Sequence, residues 1–155
     1  MGYRILAAID QFDTRHAPLM FAAGLADGGD IHVLHVIEHY RSRLGSPATL
    51  ETYDEAAALV EEAAFDLQMS GLRAEGHTRR APAEHVAHVI ADEADRLGVG
   101  VIVVGSRRLR GWQRIYNRGV REQLLRHTDL PVVVAPAPVD THRDAALHDV
   151  VIPGA

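Results

Sequence analysis

The 155-residue chain contains no lysine and no cysteine. Without cysteine there is no disulfide, no thiolate metal site and no cysteine nucleophile. Without lysine there is no Walker-type phosphate loop and no strand lysine for kinase-type phosphoryl transfer. Aromatic residues are few, at 5 %, and no apolar run approaches the roughly 20 residues that a membrane helix needs. The N-terminus, Met1-Gly2-Tyr3-Arg4, has no secretory layout, so we expect a cytoplasmic protein with no membrane association. No Gly-x-Ser-x-Gly elbow is present, which removes the serine-hydrolase reading.

What is there is a globular composition, 47 % hydrophobic and 24 % charged, in a length that suits one domain with a real core. All sixteen cations are arginine, against twenty-one acids, for a net charge of −5. They are unevenly spread. Seven of them (107, 108, 110, 114, 118, 121 and 126) face the single acid Glu122 within twenty residues. A basic segment in an acidic domain points to an anionic partner at that segment. GC-rich codon usage would explain arginine in place of lysine, but it does not explain the clustering.

Short apolar runs at Tyr3–Ile9, Ile31–Ile37, Val99–Val104 and Pro131–Ala135 predict buried strands, and polar Leu72–Arg80 predicts an edge strand. Between them lie helical patterns. Residues 14–26 put Ala17, Met20, Phe21, Gly24 and Leu25 on one face. A longer helix has the stripe Tyr53, Ala57, Val60, Ala64 and Leu67 and ends before Gly71; another has Val86, Ile90, Ala94 and Leu97 and is closed by Gly98. A short helix over 119–127 carries Val120, Leu124 and Leu125. Residues 38–48 and 106–118 read as loops. Strands alternating with helices give an α/β domain with a parallel sheet covered on both faces.

In such sheets ligands bind beyond the carboxyl ends of the strands, where strand order reverses. Asp10 ends the first strand and Gly105 the fourth. If those strands are neighbours, both residues share one crevice with the basic loop. A loop that leads into a helix N-terminus suits phosphate there.

The stretch VIVVGSRRLRGWQRIYNRGVREQLLRHTDLPVVVAP from Val101 resembles the C-terminal signature of the universal stress protein family. ILAAID, VLHVIE at 33–38 and APAEHVAHVIADEADRLGVGVIVVGS at 81–106 extend the resemblance over residues 3–136. It implies a Rossmann-like α/β fold, an open parallel five-stranded sheet in the order 3-2-1-4-5, with helices on both faces. It also implies a role in the stress response and a homodimer packed through the last strand, at Pro131, Val132, Val133 and Val134. The family domain then spans 1–138, followed by a C-terminal tail over 139–155.

Nucleotide-binding members of that family carry Gly, two residues, Gly, nine residues, then Gly-Ser or Gly-Thr. Here the first glycine is Gly105, while Arg108 and Arg118 replace the second and third and Gly119 replaces the hydroxyl residue. Arg110 replaces another loop glycine, Gly111 and Trp112 are kept, and Asp10-Gln11-Phe12 departs from the usual Asp-Gly-Ser. A glycine common before Pro82 is missing from Thr78-Arg79-Arg80-Ala81. By resemblance the nucleotide set, if retained, is Asp10, Gln11, Val36, Gly105, Arg108, Arg110, Gly111, Arg118, Gly119 and Val120. For Asp10 the other reading is a strand-end carboxylate that caps the next segment.

Phosphate-loop glycines permit positive φ and close approach of backbone N–H groups. Arginine there adds bulk and, at positive φ, about 1–2 kcal/mol of strain. We therefore expect a non-catalytic module with weak or lost ATP binding and no cofactor. The alternative is a member that binds ATP with magnesium, at most a slow ATPase, whose guanidinium groups grip phosphate bidentately. A third class is a binder of another polyanion, such as an acidic protein tail or RNA, through the same loop. With one aromatic in the loop, nucleic acid is not expected.

No metal site is expected. His85 and His88 lie three apart on one helix face, and His32 and His35 lie in or near the second strand, but a two-ligand pair without a nearby acid-rich loop or cysteine does not make a zinc site. His35 stands where the family commonly has histidine, and that favours a structural role.

Overall fold

The computed structural model describes residues 2–10, 16–41, 45, 47–105 and 113–136, and the side chains of these residues save 16, 47 and 113–119. Gln11, the loop 106–112 with Arg108, Arg110 and Gly111, and the tail lie outside the described residues.

Six strands form one sheet: β1 (Ile5–Ile9), β2 (Asp30–Arg41), β3 (Pro47–Thr49), β4 (Arg73–Pro82), β5 (Val101–Gly105) and β6 (Val132–Ala135). The helices are α1 (His16–Ala26), α2 (Tyr53–Met69), α3 (Val86–Leu97) and α4 (Gln113–His127), with a single 3₁₀ turn at Ala83–His85. The five parallel strands run β4-β2-β1-β5-β6, which is the predicted 3-2-1-4-5 order. The sixth, β3, is an antiparallel addition. His39 pairs with Pro82 of β4 and with Thr49 of β3. A strand has two edges, so β3 lies on the edge of β2 that β1 uses, past the end of β1.

Alternation along the strands splits the core in two. Ile5, Ala7, Ile9, Ile31, Val33 and Val103 pack with Leu19 and Ala22 of α1 and with Val60 and Leu67 of α2. Leu6, Leu34, Val36, Ile102 and Val104 pack with Ala87 and Ile90 of α3 and Leu124 of α4. Ile5, Leu6, Ile31, Leu34 and Ile102 are fully buried, each contributing about 1.5–3 kcal/mol relative to exposure.

The helix ends follow from local chemistry. Thr52 caps α2 through a capping box: its hydroxyl accepts from Glu55 N at 3.2 Å, and the Glu55 carboxylate accepts from Thr52 N at 2.7 Å. At the other end of the sheet Gly98 takes a left-handed φ of 62° after α3, and Val99 N bonds back to Ala94 O at 3.2 Å. The chain thus turns straight into β5.

Several local expectations are corrected. Residues 38–41 continue β2, and 47–49 form β3, where a loop over 38–48 is expected. In α1 the buried residues are Pro18, Leu19, Ala22 and Ala26, whereas Met20 is 72 % exposed. That helix is apolar nearly all round, so its pattern does not orient it. Tyr53 and Leu125 are exposed, and α4 starts six residues before Gly119. Pro82 ends β4 rather than opening a helix, which begins after the 3₁₀ turn.

Candidate functional site

Parallel pairing of β1 with β5 matches Ala8 with Val104, so Gly105 comes level with Ile9 and Asp10 follows one residue on, both at the carboxyl ends of adjacent strands. β1 and β5 leave the sheet's centre in opposite directions through the chain, which makes this the point where strand order reverses. Asp10 and Gly105 are half-buried there. Val36 is buried on the α3 face, and half-buried Val120 packs against the same cluster. Arg118 and Gly119 fall within the backbone of α4. The remaining loop positions of the nucleotide set lie outside the described residues.

On the opposite face of the sheet, His35 joins β2 to the crest. Its Nδ1 donates to the carbonyl of Ile9, the last residue of β1, at 2.9 Å, and its Nε2 lies 2.6 Å from Glu51 Oε1. Both side chains are nearly sealed, at 4 % and 8 % exposure. The Ile9 carbonyl and the carboxylate are both acceptors, so a proton must lie between Nε2 and Oε1. The structural role expected for His35 follows from these contacts.

The two arginines that replace the glycine-bearing segment before Pro82 are engaged. Arg79 Nε and NH2 donate to Glu93 Oε2 and Oε1 at 3.0 and 2.6 Å, and Arg96 makes the same fork at 3.1 and 2.6 Å. Glu93 is only 4 % exposed. Burial opposes its charge, but the hydrogen bonds from Arg96 and Arg79 outweigh burial and hold its carboxyl below the usual value. Arg80 stacks over the Tyr53 ring, 5.5 Å from the centroid. One sequence signal points to the Glu93 triad: Glu93 interrupts the apolar stripe of Val86, Ile90 and Leu97.

The histidine pairs do not meet as pairs. His32 and His35 occupy opposite faces of β2, and His85 and His88 are exposed on or beside α3. Instead His32 Nδ1 lies 2.9 Å from His77 Nε2 on β4, and Glu75 Oε2 is 3.9 Å from each. Burial pushes both imidazoles below their ordinary pKa, with Glu75 opposing. Glu75-x-His77, two same-face residues of an edge strand, is the sequence signal for this group.

No helix among the described residues is long and apolar enough to cross a membrane. No curated protein matches the chain's sequence. Solved structures do resemble it. A universal stress protein from Archaeoglobus fulgidus is 24 % identical, with 87 % of this chain and 99 % of that one covered and a TM-score of 0.65. One from Burkholderia pseudomallei is 21 % identical, covering 87 % and 96 %, at 0.63. An Arabidopsis thaliana family protein with AMP bound is 19 % identical, covering 90 % and 94 %, at 0.58. At these identities the likeness carries the fold. The family model described as "Universal stress protein family" matches residues 1–136. With the strand order, the crest at Asp10 and Gly105 and the C-terminal signature in agreement, the chain belongs to the universal stress protein family.

Proposed function

We propose that this chain is a non-catalytic, homodimeric universal stress protein of the cytoplasm in which ATP binding is weak or lost. The observation that carries this reading is the glycine pattern after Gly105: Arg108, Arg118 and Gly119 stand where the nucleotide-binding pattern has glycine, glycine and a hydroxyl residue. The loop therefore lacks the residues that let backbone N–H groups close on phosphate. Arg79 and Arg80, engaged with Glu93 and Tyr53, add to this by being held in the protein's own contacts.

The dimer rests on β6. Among the described residues β6 pairs only with β5, and Val134 is 40 % exposed on it. An apolar edge strand is an aggregation liability that a second copy would cover.

A second reading keeps an adenine nucleotide as ligand, with arginine forks on its phosphates. The AMP-bound Arabidopsis relative is the observation that favours it. Titration calorimetry with ATP and AMP, with and without magnesium, separates the two. We expect no heat at millimolar nucleotide; micromolar affinity would overturn the first reading. Sedimentation at micromolar protein should give a dimer, and a monomeric mass would remove the β6 interface.

A further inference from the structure

The β4 edge of the sheet carries a side-chain cluster that the nucleotide crevice does not use. In the β2–β4 register His32 is level with Glu75 and Leu34 with His77, so His32, Glu75 and His77 project from one face, that of α3. Their ligand atoms lie within 4.8 Å of one another. The two imidazole nitrogens are aimed at each other at 2.9 Å and share one proton. Once that proton moves away, two imidazole lone pairs and a carboxylate oxygen lie within reach of one ion.

We propose that His32 Nδ1, His77 Nε2 and a Glu75 carboxylate oxygen form a binding site for a divalent metal ion of the zinc type. A tetrahedral ion with bonds near 2.0–2.1 Å separates its ligand atoms by about 3.3 Å. Insertion therefore requires the nitrogens to part by about half an ångström from 2.9 Å and the carboxylate to close by a similar amount from 3.9 Å. As the ion enters, the shared proton gives up its place between the rings, and the ring that donated it carries one proton on its other nitrogen, His32 Nε2 or His77 Nδ1, so both ligands stay neutral imidazoles. Glu75 is able to make that adjustment, because its side chain is 70 % exposed, whereas His32 and His77 are held at 12 % and 9 %.

The surroundings suit the ion. A cleft of about 390 Å³, lined by Arg4, Asp30, His32, Arg73, Glu75 and Leu97, opens the site to solvent and leaves room for water as fourth ligand. Arg4 and Arg73 would repel a cation, but both pair with Asp30, at 3.7 and 2.8 Å. Behind the site, His77 Nδ1 faces Glu93 Oε1 at 4.0 Å, placing a carboxylate on the far side of a ligating ring. Two imidazoles with one carboxylate favour zinc-like borderline ions over magnesium or calcium, which take oxygen ligands. Because the ligands come from neighbouring strands, the ion would pin β4 to β2.

The test uses the full chain stripped with EDTA and titrated at pH 7.5 with Zn²⁺ alone, and with Co²⁺ read by visible absorption. We expect one equivalent bound per chain, a rise in Tm on binding, and the intense visible band of four-coordinate Co²⁺. Glu75→Gln, on an exposed side chain that leaves the fold intact, should weaken Zn²⁺ by at least about tenfold. His77→Asn should remove the equivalent, and His85→Asn with His88→Asn should leave it unchanged. Unaltered affinity in Glu75→Gln, or no bound equivalent in the wild type at high-micromolar Zn²⁺, would overturn the site. If His77→Asn fails to fold, the Glu75→Gln comparison decides alone.

Discussion

His35 and Glu51 meet at 2.6 Å, between a strand interior and the residue just ahead of the Thr52 cap of α2. With His35 also holding the Ile9 carbonyl, one imidazole ties together β1, β2 and the entry to α2. Glu51→Ala leaves Nε2 buried without its partner, which costs about 1–3 kcal/mol. Glu51→Gln keeps a hydrogen-bonding partner in place, so it should cost less. Urea unfolding of the two variants beside the wild type checks the order; equal losses would mean that the contact contributes nothing specific.

Glu93 balances two arginines from inside the protein. Glu93→Ala leaves both guanidinium groups beside a buried space without their counter-charge. We expect a loss of about 3 kcal/mol, at the low end for a broken buried pair because Arg79 and Arg96 are partly exposed. The sign with pH follows from the lowered carboxyl. Its stabilisation is fully present above the ordinary carboxylate value and is lost as pH falls through the lowered one. The acid limb of a Tm-against-pH curve should therefore be shallower in Glu93→Gln.

His32 and His77 act in the opposite part of the pH range. Both are held below 6.5 by burial, so between the lowered values and 6.5 the unfolded chain binds more protons than the folded one. Stability should rise as pH increases through this window and level off above it. Thermal melts in EDTA buffer from pH 5 to 8 read this directly. A double variant, His32→Asn with His77→Asn, should flatten the curve.

Gly76 lets α2 lie against β4. A Cβ at this position would meet the Val60 carbonyl oxygen at 2.9 Å and its carbon at 3.0 Å, both backbone atoms that cannot swing aside. Gly76→Ala should cost about 1–3 kcal/mol by overpacking. Gly24→Ala is the control, since its Cβ meets nothing within 4 Å; it should leave Tm unchanged or raise it.

The strand pattern was legible because apolar runs of four to seven residues, ended by Asp10, Gly105 or Pro136, have few alternatives. The order of the strands came through the family signature, and the pairing registers agree with it. The extension of β2 through Glu38, His39, Tyr40 and Arg41 was not legible. Those polar side chains show nothing of a backbone that is paired on both edges at His39. The histidine cluster was hidden for a related reason. His32 and His77 are 45 residues apart, and only the β2–β4 register brings them level. Glu93 was readable in principle as a charge on a buried stripe, but its partners come from α3 itself and from β4.

β2 has twelve residues and β1 five, so the longer strand outruns the shorter at the crest, and β3 fills the gap beside it. Among the described residues β3 therefore stands as a wall on the β2 flank of the crest, so the polar residues of the β2 extension shape the rim of the sheet and not its core.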